Sequence, residues 1–253
     1  LDICNIIGSV VVAGNVRRSA EIALGSPYDI DFLSAKRWDI GDIPSHRAMS
    51  NNSIVTSNIT GIPEVFWEGY HGNGEPYGLF NLDASRKYGR RNEIREDKSI
   101  EGTNPCAEIG LANRESCNLA EIILPNIESQ EELIDIAKLL YKIQKAVSAL
   151  PALDRESDEI TSKNMRLGLG VTGVTQSLEK LEWLSPTYEA LRDFDRQWSS
   201  YKEWPTSVRL TTIKPSGTLS LLAGVTPGIH PGYSEHHIRR VRMASGDPLL
   251  DYC

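Results

Sequence analysis

The chain has 253 residues, 40% of them apolar and 24% charged, a composition that excludes a disordered polymer and suits one barrel-sized domain or part of one. A net charge of −7, from 34 acidic against 27 basic side chains, argues against a nucleic-acid duplex as partner, since gripping a phosphate backbone needs clustered Lys and Arg. No apolar run approaches the ~20 residues of a bilayer crossing and no basic leader with an apolar core opens the chain, so the expectation is no membrane partner and a cytoplasmic location.

In chain order, Ile3, Ile6, Ile7, Val10 and Val11 recur at helical spacing, with Cys4 beside the stripe. Gly14-Asn15 breaks that helix, and 20–24 alternates as a short strand ending at Gly25. A second helix is expected over 29–38 with Asp29 as its cap. After a polar turn at Ser50-Asn51-Asn52, a strand is expected over 53–57. Glycine, proline and charge make 69–98 loop-rich, with 78–82 as its one ordered piece. The segment 131–150 is the clearest helix, with Leu133, Ile136, Ala137, Leu140, Ile143 and Val147 on one face and Pro151 stopping it. Alternation of apolar residues with glycine over 167–171 suits a buried strand against which another backbone packs closely. Helices over 175–184 and 187–201, a strand over 208–213 and a helix over 217–223 entered through Pro215-Ser216 complete the pattern. Strands alternating with helices favour an α/β fold with largely parallel strands, because parallel neighbours need crossovers. No internal repeat or domain linker is visible.

The chemistry concentrates around Cys106 in Asn104-Pro105-Cys106-Ala107-Glu108, where a thiol, an amide and a carboxylate lie within five residues and Cys117 follows eleven residues on. Four cysteines are too few for a disulfide scaffold, so thiol chemistry is the better reading. The spacing lacks the two-residue gap of zinc knuckles, and no second Cys or His pair stands nearby, so no metal site is expected. His46, His71, His230, His236 and His237 lie in loops or in a Pro- and Gly-rich tail without ligand spacing. The 239–242 arginine run reads as an exposed strand edge.

Asn104-Pro105-Cys106-Ala107-Glu108-Ile109 followed by Glu115-Ser116-Cys117-Asn118-Leu119-Ala120-Glu121 resembles the finger loop of ribonucleotide reductases. The wording is most similar to the adenosylcobalamin-dependent class, within it to the monomeric ribonucleoside-triphosphate reductases. Three stretches agree in order along the chain: 14–20, Gly-Asn-Val-Arg-Arg-Ser-Ala; 166–173, Arg-Leu-Gly-Leu-Gly-Val-Thr-Gly; and 214–221, Lys-Pro-Ser-Gly-Thr-Leu-Ser-Leu. The resemblance implies the central part, 1–253, of a ten-stranded α/β barrel whose finger loop carries the radical cysteine, with the N- and C-terminal parts of a longer parent absent.

It further implies replacement of the ribose 2'-hydroxyl by hydrogen through a thiyl radical at Cys106. Glu108 would serve as base for the 3'-hydroxyl, Asn104 would bond the sugar hydroxyls, and Cys117 would be one of two reducing thiols. The partner of Cys117 is expected on a first barrel strand upstream of this chain; Cys4 and Cys253 are weak substitutes. Ser216, Gly217, Thr218 and Ser220 would contact substrate phosphates at a helix start. Gly14, Asn15, Arg17 and Arg18 would belong to the loop that relays the identity of a deoxynucleotide effector. The implied cofactor is adenosylcobalamin, and the implied partners are a ribonucleoside triphosphate and a thioredoxin-like reductant. Two alternatives stay open: a diphosphate reductase of the cobalamin or two-subunit class, and an inactive nucleotide-binding module. The retention of Asn104, Cys106, Glu108 and Cys117 together speaks against the second.

Overall fold

A computed structural model describes residues 1–13, 19–89, 96–232, 234, 236 and 248. Helix α1 (Asp2–Ala13) leads to strand β1 (Glu21–Gly25), α2 (Ile30–Ser34), β2 (Ser50–Thr56), α3 (Glu64–Asn73), β3 (Gly78–Asn81) and α4 (Leu82–Lys87). The short strands β4 (Gly102–Thr103) and β5 (Gly110–Leu111) precede β6 (Leu119–Ile123), α5 (Gln130–Ser148), α6 (Arg155–Asn164), β7 (Gly168–Thr172), α7 (Leu181–Lys202) and α8 (Gly217–Leu222). Among the described residues these strands make three sheets: parallel β1-β2-β3, the antiparallel pair β4-β5, and parallel β6-β7. The α/β class with parallel pairing is as expected, α5 and α6 forming the crossover from β6 to β7.

The main core lies where α5 and α7 cover the β6-β7 pair, with Leu124, Leu133, Tyr141, Leu167 and Leu191 almost fully buried. A smaller core of Leu33, Ile54 and Phe66 joins β2 to α2 and α3. Helix α5 starts where Ser129 accepts the Glu132 backbone N–H at 3.1 Å, an N-cap that satisfies one of the unpaired donors of the first turn.

Several elements depart from the sequence expectation for local physical reasons. Ser50, Asn51 and Asn52 are not a turn but the start of β2; their polarity is absorbed by pairing, with Lys36 Nζ donating to Ser50 O at 2.8 Å and Ser50 Oγ to Asn52 Oδ1 at 2.8 Å. The stretch 69–98, read as loop-rich, holds the end of α3 and all of α4. Gly69 lies inside α3 because a Cβ there would come within 2.3 Å of Glu75 O, so this glycine serves close approach rather than a turn. Asn81 caps α4 by accepting from Ala84 N at 2.9 Å. The second helix is five residues rather than ten.

Helix α6, for which the sequence raised no expectation, begins at the Asp154 cap. The two helices expected over 175–201 are one, α7, preceded by single 3-10 turns; Pro186 lies near its start, where one lost backbone bond does not end the helix. Residues 208–213 form no regular strand. They run along the β7 edge through one bridge, Leu169 to Thr211, and bonds such as Leu169 N to Leu210 O at 2.9 Å. The apolar stripe of α1 faces outward, with Ile3 76% and Val10 70% exposed, while small Gly8 lets the other face lie against Ser19, Glu21 and Met49.

Candidate functional site

Strands β4 and β5 form a hairpin in register Gly102 to Leu111 and Thr103 to Gly110, so Gly102 and Thr103 are strand residues. The tip is a tight turn in which Ala107 N donates to Asn104 O at 2.9 Å, with Pro105 and Cys106 at its centre. Proline at the first central position presets the required φ. Ala107 then takes a left-handed φ of 62° and turns the chain back. Asn104 is buried and locks the tip, its Oδ1 accepting Ile109 N at 3.2 Å while its backbone N–H reaches Ile109 O. Asn51 on β2 donates to Pro105 O at 3.1 Å, and Thr212 donates from its hydroxyl to Glu108 O. The hairpin is therefore tied to the β1-β2-β3 sheet and to the 208–213 segment that runs beside β7.

Cys117 precedes β6, and the Asn104 side-chain amide reaches its sulfur at 3.5 Å. Both thiols are free and solvent-accessible. Burial of part of the sulfur surface, followed by the Glu108 charge, raises the Cys106 pKa; the same two causes push Cys117 up to about 11, against the Asn104 hydrogen bond. Both sulfurs therefore carry their hydrogens at neutral pH, the form that donates or accepts a hydrogen atom. Glu108 Oε2 is buried and has no hydrogen-bond partner among the described residues, so one carboxylate oxygen is available for an incoming hydroxyl. Asn104, Cys106 and Glu108 thus share one hairpin, and Cys117 meets it through the Asn104 amide. A cavity of about 740 Å³ opens beside them, lined by Tyr88, Ala107, Glu108, Arg166, Arg209 and Thr212.

The residues that hold Cys117 in place escaped the sequence reading. Two positions upstream, buried Glu115 accepts from Ala112 N at 2.8 Å, Asn164 Nδ2 at 3.0 Å and Arg166 Nε at 3.0 Å, and Arg166 extends to Asp97 at 2.7 Å. One position downstream, Asn118 donates to Gln144 O and Ser148 Oγ of α5. Lys214, quoted only as the start of the 214–221 stretch, was given no role; its ammonium meets Glu121 of β6 at 2.9 Å. The alternation in Cys117-Asn118-Leu119-Ala120-Glu121 was the available signal, because residues two apart share a strand face. Gly170 opposite Glu121 makes room, since a Cβ there would lie 3.1 Å from Lys214 Cβ.

Lys214 leads into the segment expected to hold phosphate. Ser216 caps α8 with a left-handed φ of 60°, and its Oγ is buried without a partner among the described residues. Gly217 N donates to Pro215 O, and no atom lies within 4 Å of where a Gly217 Cβ would stand. Ser220 is buried, its hydroxyl donating to Gly217 O at 2.8 Å as a brace within the helix. Thr218 lies on the first turn of α8. Gly14, Asn15, Arg17 and Arg18 lie outside the described residues, as do His237 and 239–242. Among the described residues there is no cluster of three or more His, Cys, Asp or Glu able to hold a metal, and no helix long and apolar enough to cross a membrane.

Residues 16–199 match the family model described as ribonucleotide reductase, barrel domain. The chain is 37% identical over 285 residues to the adenosylcobalamin-dependent ribonucleoside-triphosphate reductase of Lactobacillus gasseri, covering 98% of this chain and 38% of that protein. It is 36% identical over 261 residues to the protein of the same name from Euglena gracilis, covering 99% of this chain and 35% of that one. A solved B12-dependent, class II ribonucleotide reductase superposes over 92% of this chain and 36% of its own with a TM-score of 0.80 at 36% identity. The class Id alpha subunit of Actinobacillus ureae shares the fold at a TM-score of 0.59 and 18% identity. The chain thus spans little more than a third of the length of these curated relatives.

Proposed function

We propose, for a chain that belongs to the ribonucleotide reductase barrel family, that it carries the thiol site at which a ribonucleoside triphosphate is reduced to its 2'-deoxy form. The observation that carries this reading is the Asn104 amide within 3.5 Å of the Cys117 sulfur, which unites two thiols, an amide and an open carboxylate at one hairpin tip.

In this reading the Cys106 thiyl takes the hydrogen atom from C3' of the ribose and becomes a thiol again, leaving a carbon radical on the sugar. Glu108 takes the 3'-hydroxyl proton as the 2'-hydroxyl leaves with a proton as water. General-base assistance of this kind contributes about 10²–10⁴-fold. Cys117 and a second thiol supply two electrons and two protons in all and close a disulfide: one proton leaves with the 2'-hydroxyl as water and the other ends on C2', Glu108 returns its proton to the 3'-oxygen, and Cys106 returns its hydrogen atom to C3'. Asn104, fixed by its own backbone bonds, orients the sugar hydroxyls. Ser216, Gly217 and Thr218 receive the phosphates, with the unpartnered Ser216 hydroxyl as the first contact and Ser220 stiffening the turn behind them.

The chemistry of the site fits a radical-generating cofactor, because Cys106 is a protonated thiol exposed at the hairpin tip where a large group can reach it. Adenosylcobalamin, when bound, would supply the one-electron oxidising equivalent that Cys106 requires. The Gly14, Asn15, Arg17 and Arg18 loop is assigned to the deoxynucleotide effector, and a thioredoxin-like reductant would reopen the disulfide in a cytoplasmic setting.

The test is reduction by the full-length protein of ribonucleoside triphosphates and diphosphates side by side, with adenosylcobalamin and thioredoxin, and chromatography of the products. Deoxynucleoside triphosphate formed only when the cofactor is present is the expected result. Product from diphosphates alone, or without cobalamin, overturns the assignment.

A further inference from the structure

Bonds between Asn104 and Ile109 close the hairpin that carries Cys106, but they leave it free to pivot as a unit. Two side chains from outside the hairpin oppose that pivot. Asn51 of β2 donates at 3.1 Å to Pro105 O, the carbonyl of the peptide bond that leads into Cys106. Thr212 donates from its hydroxyl to Glu108 O, two residues past the sulfur on the returning side of the turn.

Both donors are aimed by their own elements. Asn51 stands opposite Ile22 in the parallel register, so it shares a sheet face with Leu24. That face meets the hairpin again at Gly102, where a Cβ would come 3.2 Å from Leu24 Cδ1. Thr212 N donates to Leu169 O at 3.1 Å, and a Cβ on Gly168 would stand 3.2 Å from the Thr212 methyl and 3.3 Å from Ile109 Cδ1. With backbone and methyl both placed, the Thr212 hydroxyl is turned to one acceptor. Its bond is partly buried while that of Asn51 is exposed, so water competes mainly with the second. Glu108 Oε2 is buried without a partner among the described residues, so the backbone rather than a hydrogen bond aims this oxygen.

We propose that Thr212 and Asn51 are positioning residues for hydrogen-atom transfer, gripping the carbonyls on either side of Cys106 so that its sulfur and the Glu108 carboxylate keep one fixed offset from the bound sugar. Neither touches the reacting atoms; both act through the hairpin backbone. The inference rests on the reading of Cys106 as the thiyl site. Hydrogen-atom transfer needs sulfur and carbon in near contact, and a misplacement of about 1 Å costs about 10²-fold in rate. Loss of one anchor lets the tip swing about the other, and the sulfur, at the end of the turn, moves with it. Phosphate binding is assigned elsewhere, to 216–218, so the loss falls on kcat and not on KM.

The test is steady-state turnover of the full-length protein on a ribonucleoside triphosphate carrying hydrogen or deuterium at C3', with adenosylcobalamin and thioredoxin, normalised to the folded fraction from circular dichroism. Thr212→Val keeps the side-chain shape and removes the donor. Its kcat should fall about 10–100-fold with KM within about twofold of the parent, and the deuterium effect on kcat should rise as hydrogen transfer becomes the slow step. Thr212→Ser restores the hydroxyl and should return kcat to within about threefold of the parent, with the parental isotope effect. Asn51→Ala should move both readouts in the same direction by less, and it carries the test if Thr212→Val does not fold. Bonds that merely hold the fold together would lower the folded fraction and leave the normalised kcat and the isotope effect unchanged. That result, or a Thr212→Ser protein as slow as Thr212→Val, overturns the proposal. A parental protein that forms no deoxynucleotide under these conditions overturns the reductase reading instead, and the anchoring role with it.

Discussion

Asp195→Ala should be among the most destabilising single changes in the chain, and its size follows from what the carboxylate holds. Asp195 on α7 is buried and accepts from Tyr141 Oη at 2.8 Å, Lys145 Nζ at 3.1 Å, Ser199 Oγ at 3.2 Å and Ser207 N at 3.1 Å. Lys145 is itself fully buried and keeps only the neutral Pro205 O and Ser207 Oγ when the acid is gone. Removing one partner of a buried ion pair costs about 3–5 kcal/mol, because the other charge stays desolvated. With a urea m-value of about 3 kcal/mol/M, that is a midpoint shift of more than about 1 M. Burial lowers the Lys145 pKa, with Asp195 opposing, so without Asp195 it falls further below its unfolded value of about 10.4. Between those two values the unfolded chain binds more protons, and stability rises with pH. The deficit of Asp195→Ala should therefore shrink from pH 7 to pH 10, and adding Lys145→Met should recover most of it. Urea titrations followed by circular dichroism on the full-length protein read both effects. A deficit below about 1 kcal/mol, or one unchanged across that pH range, refutes the reasoning.

Glu108→Gln should lower turnover by about 10²–10⁴-fold while leaving nucleotide binding, read by equilibrium dialysis, within a few-fold. Gly228→Ala should cost about 1–3 kcal/mol in thermal unfolding, since the residue combines a positive φ with a backbone contact on Lys214, and should raise the KM for substrate if 216–218 receives phosphate as proposed. Burial works to raise the Asp97 pKa, but hydrogen bonds from Arg166 and Ser99 hold it below the ordinary value, so its contribution is present above about pH 4 and is lost as pH falls through the lowered pKa. Arg166→Gln should flatten that part of the acid-unfolding curve, measured by fluorescence.

The grouping of the four candidate site residues was legible in the sequence because they sit within one short segment whose spacing survives folding. Asn104, Cys106 and Glu108 occupy a single turn, and Cys117 returns to it through one amide. The extent of α5 was equally legible, since its 3.6-residue period is interrupted by neither glycine nor proline, but Ile143 and Val147, read on its apolar face, are exposed while Tyr141, Gln144 and Lys145 are buried. Long-range partners were not. Arg166 stands 51 positions from Glu115 and 69 from Asp97, and Lys214 stands 93 from Glu121; local pattern carries no information about such pairings. Gly69 misled in the opposite direction: read as a loop former, it permits a tight helix-to-backbone contact. Ser50 to Asn52 misled because buried polar side chains that pair with each other look, in sequence, like a solvent turn.

The most direct test replaces the Cys106 sulfur by oxygen. Full-length Cys106→Ser protein, incubated with a ribonucleoside triphosphate, adenosylcobalamin and thioredoxin, should form no deoxynucleotide above background while its folding and nucleotide binding match the parent. Deoxynucleotide formed by the serine protein at the parental rate would contradict hydrogen-atom abstraction at this position.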